Sequence, residues 1–106
     1  MHADYLYFAS LTDLAPDVPA DAILSRILHK HDQVNVTLFA FAAGQELSEH
    51  TATQPAILYF VEGEADLKLG ADRLQARTGT YAYMPAHLPH SIHAKTRVVM
   101  LLLLLK

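Results

Sequence analysis

The sequence predicts an all-β fold, a sandwich or barrel in one domain, and three observations carry that prediction. Apolar and polar residues alternate with period two in several short stretches. Glycine or proline punctuates these stretches at Gly44, Pro55, Gly63, Gly70, Gly79, Pro85 and Pro89. No segment sustains the 3.6-residue apolar period of a long helix. With 106 residues, the chain has enough material for one core and too little for two.

The N-terminus, Met1-His2-Ala3-Asp4-Tyr5, lacks a basic segment followed by an apolar one, so no signal peptide is expected. Tyr5 to Phe8 is a short apolar start, an edge strand or an irregular arm, and a loop with Pro16 and Pro19 follows. Leu11-Thr12-Asp13-Leu14 has the composition of one helical turn capped by Ser10 or Thr12. Between Ala22 and His29, Ile23, Ser25 and Ile27 alternate with Leu24, Arg26 and Leu28, as in a strand, and the polar His29-Lys30-His31-Asp32 ends it. Val34 to Phe41 is a stronger strand. Val34, Val36, Leu38 and Ala40 fall on one face and Asn35, Thr37, Phe39 and Phe41 on the other. Ala42, Ala43 and Gly44 turn the chain, and a loop is expected from His50 to Pro55.

Ala56 to Glu62 is apolar on both faces, Ala56, Leu58 and Phe60 against Ile57, Tyr59 and Val61, the pattern of a strand covered twice. Gly63 breaks it. Glu64 to Leu69 then alternates, with Ala65, Leu67 and Leu69 inward, and Gly70-Ala71-Asp72 is a hairpin turn into Arg73 to Ala76. A second turn at Gly79 precedes a strand from Tyr81 to Met84. Pro85 and Pro89 stiffen the loop between them by fixing the backbone at both ends. His90 to Ala94 and Arg97 to Leu105 are the last strands. Val98 to Leu105 is wholly apolar, but a membrane helix needs about 20 such residues, so a buried strand is expected. Residues 1–33 read as an arm and first strands packing on a core formed by residues 34–106.

Charge and composition narrow the partners. The net charge is −3 with both signs scattered, so no basic patch is available for nucleic acid or an anionic membrane. There is no cysteine, which removes disulfides, thiolate catalysis and thiolate-bound zinc, and fits a reducing, cytoplasmic setting. A composition 52% hydrophobic and 18% charged is apolar for so small a chain, so burial against a second copy, a homodimer, is expected. There is no glycine-rich phosphate loop, no Gly-x-Ser-x-Gly elbow and no His-Glu-x-x-His helix.

Two stretches carry the chemistry. In the first, Gly44 precedes His50 by five intervening residues, and Gly63 follows Ala56 after six. In the second, Gly79, Pro85, His87, His90 and Ala94 follow one another at fixed spacing. The pair resembles the two motifs of the cupin family, small barrels of the double-stranded β-helix or jelly-roll type. The family's first motif is glycine, five residues, histidine, any, histidine, three or four residues, glutamate, six residues, glycine. Its second is glycine, five residues, proline, any, glycine, two residues, histidine, three residues, asparagine. In this chain the second histidine falls on Ala52, the glutamate on Ala56, the second motif's inner glycine on His87 and its asparagine on Ala94. One ligand histidine per motif survives, His50 and His90.

The resemblance implies a site inside the barrel, where metal-dependent cupins hold a transition ion on three histidines and a carboxylate. His50 and His90 are the expected metal ligands here, for a divalent ion such as iron, manganese, nickel or zinc, with His87, Gln54 or Glu49 as candidates to join them. His93 follows His90 by three residues and is expected outside the barrel. The pocket lining is expected to be Leu38, Leu58, Phe60, Tyr81 or Tyr83, Met84 and Ile92, which suits a small, partly apolar organic molecule. Three readings stay open. One is a binding or sensing cupin without turnover. Another is a metal-dependent enzyme of dioxygenase or isomerase type using His50, His90 and a third ligand such as His87, and the last is a mainly structural, dimerising barrel.

Overall fold

A computed structural model describes residues 5–15 and 17–106, so the reading of Met1 to Asp4 lies outside the described residues. One 3-10 turn, Thr12–Leu14, precedes nine strands. They are β1 (Ile23–Lys30), β2 (Val34–Phe41), β3 (Glu46–His50), β4 (Ala56–Glu62), β5 (Ala65–Leu69), β6 (Asp72–Ala76), β7 (Tyr81–Met84), β8 (His90–Ala94) and β9 (Val98–Leu105). They form two antiparallel sheets, a five-stranded one in the order β1-β2-β9-β4-β7 and a four-stranded one in the order β3-β8-β5-β6. The chain crosses repeatedly from one sheet to the other, which is the jelly-roll arrangement the sequence predicts.

The period-two pattern decides which side chains fill the space between the sheets. Phe41, Val98, Met100, Leu58, Phe60 and Met84 come from the large sheet, and Leu67, Ile92 and Ala94 from the small one. These residues are at most 3% exposed. Cross-strand register confirms the shared face, with Phe41 opposite Val98, and Phe60 and Phe39 both opposite Met100. Burying each large apolar side chain contributes about 1.5–3 kcal/mol, so these residues dominate the stability of the fold.

The outer face of the large sheet departs from expectation. Leu38 is buried, but its register partner is Leu101, which also pairs with the partly exposed Tyr59. Leu38 therefore belongs to the outer face and does not line the barrel, because the larger Phe39 and Phe41 take the inward positions of β2. The N-terminal segment lies over this face, where Tyr5, Leu6, Phe8 and Leu11 line a groove of about 450 Å³ with Leu28, His29, Val36 and Leu101. Tyr81 and Tyr83 also point outward, 62% and 52% exposed, as cross-strand partners of Tyr59 and Ile57. Met84 points inward, so period two commits its neighbour Tyr83, and Tyr81 with it, to the other side. Strand β4 is accordingly covered on one face only at Tyr59, which is 40% exposed.

Other expectations hold with local changes. The helical turn forms, but Leu11 stands at its N-cap without a side-chain bond, while the Ser10 and Thr12 hydroxyls bond each other at 3.0 Å. Tyr5 to Phe8 is irregular. Strand β3 was not legible, because Glu-Leu-Ser-Glu-His offers one apolar residue, Leu47, and only pairing with β8 makes it a strand. No helix among the described residues is long and apolar enough to cross a membrane.

Gly63 joins the sheets where β4 ends. Its φ is +99°, and a Cβ there would overlap the Arg97 carbonyl oxygen at the start of β9. Gly44 has a similar φ, +86°, with nothing near its missing side chain. Gly63→Ala is therefore predicted to cost about 3 kcal/mol or more through strain and overpacking together, and Gly44→Ala about 1–2 kcal/mol from backbone strain alone. Denaturant midpoints of the two variants check the difference, and equal losses would contradict the close-packing role of Gly63.

Candidate functional site

Two crossings between the sheets meet at one end of the barrel. Strand β3 ends at His50 and the chain passes through residues 51–55 to Ala56 at the start of β4, while β7 ends at Met84 and residues 85–89 lead to His90 at the start of β8. The crossings are tied together where the His87 N–H donates to the Ala52 carbonyl at 2.7 Å. His50 and His90 are register partners on neighbouring strands of the small sheet, and a register shift between Leu47 and His50 re-aims the end of β3.

The two imidazoles are in contact, with ring centroids 4.2 Å apart and planes tilted by 59°. His90 is buried and His50 is exposed, so the pair sits at the barrel mouth with one ring inside and one at the rim. Each ring is anchored in the same way. His50 Nδ1 lies 2.7 Å from the Ser48 carbonyl oxygen, and His90 Nδ1 lies 2.9 Å from the Leu88 carbonyl oxygen. A carbonyl only accepts, so in each case Nδ1 carries the proton and the neutral ring keeps its free lone pair on Nε2. Two histidines thus present the same atom type, an Nε2 acceptor, with their orientation set by the backbone two residues upstream.

The expected partners of this pair are elsewhere. His87 occupies the position of the motif glycine and adopts that glycine's left-handed backbone, φ +69°, in an exposed turn closed by the Leu88 N–H on the Pro85 carbonyl. Glu49 is engaged by Lys68 at 3.0 Å. Gln54 is half-buried in the crossing before β4. His93 lies on the outer face of the small sheet beside Glu46, 3.5 Å away, as expected. Among the described residues, no group of three or more His, Cys, Asp or Glu side chains comes together to hold a metal ion.

Metal in this fold family calls for three or four protein donors. Here the two lost donors are replaced by methyl groups, and Ala56 is buried in register with Leu104 and Met84. Two imidazoles with no third His, Cys, Asp or Glu beside them among the described residues do not fit the family's metal ion. The expected lining residues Leu58, Phe60, Met84 and Ile92 all sit in the closed core between the sheets. A surface cavity of about 380 Å³ opens instead on the outer face of the small sheet, among Glu46, Asp66, Lys68, Arg73, Gln75, Ser91 and His93.

One polar residue escaped the sequence reading. Asn35 lies on the inward face of β2, in the transverse row that runs from Ala56 through Leu104. Its Oδ1 is buried with no hydrogen-bond partner. A buried acceptor without a donor is uncommon, and this one stands on the sheet that faces the histidine pair. The signal in the sequence is an asparagine, with Thr37 next to it, on the face of the strand that also carries Phe39 and Phe41.

Fold and site together define a small single-barrel jelly roll with a reduced ligand set. Residues 37–105 match the cupin domain family, and the chain belongs to it. A conserved protein of unknown function from Streptococcus pyogenes is 26% identical, with a TM-score of 0.84 over 98% of this chain and 90% of that one. A cupin superfamily protein from Desulfitobacterium hafniense is 28% identical, with a TM-score of 0.80 over 85% and 83% of the two chains. A predicted oxalate decarboxylase from Thermotoga maritima shares the fold at 15% identity, with a TM-score of 0.74 over 78% and 79% of the chains. No match to this chain was found among curated proteins.

The left-handed backbone of His87 yields a prediction. Relief of its steric cost, about 1–2 kcal/mol, outweighs the added chain entropy of glycine, about 0.5–1 kcal/mol, so His87→Gly is predicted to stabilise the fold by about 0.5 kcal/mol. A thermal melt checks it, and a clear loss of stability would show that the His87 side chain holds the loop.

Proposed function

We propose that the protein binds a small organic molecule at the mouth of its barrel, against the Nε2 atoms of His50 and His90. The observation that carries this reading is the shared anchoring of the two rings by backbone carbonyls, which leaves two acceptors and no donor on the pair. A neutral pair of this kind recognises hydrogen-bond donors, so the ligand presents hydroxyl or amine hydrogens, and a bare carboxylate is disfavoured. Binding without turnover is the reading taken here, because among the described residues no third His, Cys, Asp or Glu joins the pair in a metal-holding group.

The same lone pairs are those a divalent transition ion would take, so the metal-dependent enzyme reading competes for the same atoms. Elemental analysis of purified protein, before and after incubation with iron, manganese, nickel or zinc, is predicted to find no stoichiometric metal. Ligand-observed NMR with small hydroxyl- and amine-bearing aliphatic and aromatic compounds is predicted to detect binders. His50→Ala and His90→Ala should each weaken such binding about tenfold or more while keeping the fold, as expected for a lost hydrogen bond at a partly desolvated site. One transition metal per chain, lost in both variants, would overturn this reading and point to dioxygenase or isomerase chemistry. Unchanged binding in the double variant would remove the pair from the site.

A further inference from the structure

The cavity of about 380 Å³ on the outer face of the small sheet has its charges sorted into two transverse rows. In the first row Glu46, His93, Asp66 and Gln75 are register partners in turn from β3 to β6. In the second, Ser91, Lys68 and Arg73 follow from β8 to β6. The acids of the cavity thus lie on one row and its lysine and arginine on the other. The central strands form the floor, and side chains of the edge strands β3 and β6 form the rims. Several of these groups are held in place by neighbours. Gln75 Nε2 donates to Asp66 Oδ1 at 2.7 Å, Lys95 donates to Gln75 Oε1 at 2.8 Å, and Lys68 donates to Glu49 at 3.0 Å. Capacity is left over on both rows. The Arg73 guanidinium and the Ser91 hydroxyl have no hydrogen-bond or ion-pair partner among the described residues. The Glu46 carboxylate is met by His93 Nδ1 alone among them, 3.5 Å away.

We propose that this cavity binds the head group of a free α-amino acid, with its ammonium on Asp66 and Glu46 and its carboxylate on Arg73, Lys68 and Ser91. Residues two apart on a strand, as Asp66 and Lys68 are, stand about 6.6 Å apart. In an α-amino acid the ammonium nitrogen and the carboxylate carbon are about 2.5 Å apart, and a charge-assisted hydrogen bond adds about 2.8 Å at each end. The zwitterion therefore reaches from one row to the other with room to bend. Arg73 offers the planar fork that a carboxylate takes with both oxygens. Other charged ligands fit one row and are repelled by the other. A dicarboxylate would set its second anion against Glu46 or Asp66, and a diamine would set its second cation against Arg73 or Lys68. The cavity volume is within the usual range of small-molecule sites.

Amide chemical shifts, followed while L-alanine is titrated into the protein, test the proposal, with acetate and ethylamine as the two half-ligands. Alanine is expected to give saturable shifts at Asp66, Lys68, Ser91 and His93. Each half-ligand is expected to bind about tenfold more weakly or worse, since it gives up the charged hydrogen bonds of one row. Arg73→Ala and Asp66→Asn are each expected to weaken alanine about tenfold or more, and only Arg73→Ala should also weaken acetate. Arg73 is exposed at the sheet edge, so its variant is expected to fold, and unchanged shifts in β2 and β9 check that it does. His50→Ala with His90→Ala should leave these alanine shifts as they are, which separates this site from the one at the barrel mouth. No saturable shift with alanine or the other common α-amino acids to about 10 mM, a concentration that reveals millimolar binding, overturns the proposal. So does acetate binding as tightly as alanine, or a folded Arg73→Ala variant that binds alanine like the parent.

Discussion

The register of β9 is the constraint on which the rest of the structure depends. This strand lies at the centre of the large sheet and pairs along its length with β2 on one side and β4 on the other. Its register places Met100, Leu102 and Leu104 toward the barrel and Leu101 and Leu103 toward the outside. A slip of one residue would exchange the two sets. The leucine run cannot choose between them by itself, since both sets are apolar. The choice is made by neighbours: Phe39, Phe41 and Phe60 demand the interior, and Gly63 meets the backbone at Arg97 so closely that the start of β9 has little freedom to move.

From that register follow both faces of the large sheet. On the inside, the row through Leu104 aligns Ala56 and Asn35 on the face turned toward the small sheet. On the outside, the row through Leu101 aligns Tyr81 and Tyr59. The histidines themselves depend on a second device, the loops that lead into β4 and β8. These loops cross at one end of the barrel, and backbone carbonyls within two residues of each ring fix its Nδ1 proton. The replacement of two family ligands by alanine removes the donors that would close a metal shell, and it leaves the scaffold positions, Gly44, Gly63, Gly79 and Pro85, in place.

Much of this was legible in the sequence. The bounds of β2, β4, β7 and β8 follow from alternation and turn residues, and the motif spacing placed His50 and His90 together. The left-handed backbone at His87 agrees with the motif position it fills. What could not be read there has physical causes. Strand β3 is too polar to announce itself and exists by pairing. Leu38 and one tyrosine, Tyr81 or Tyr83, are expected in the barrel lining, whereas period two and the larger phenylalanines put Leu38 and both tyrosines on the outer face. Asn35 is not marked out in the sequence because a polar residue in a strand has no local meaning until its row across the sheet is known. That His87 and Glu49 stay apart from the pair is a tertiary fact: His87 sits in an exposed turn, and Glu49 is exposed at the surface beside Lys68.

The central claim is that His50 and His90 present two unprotonated Nε2 atoms at the barrel mouth. Long-range nitrogen–proton NMR correlations of the imidazole side chains, measured above the range in which histidine protonates, test it most directly. Both rings are predicted to carry their proton on Nδ1. A proton on Nε2 in either ring would contradict it, because that ring would then be a donor and the pair could not act as a matched set of acceptors.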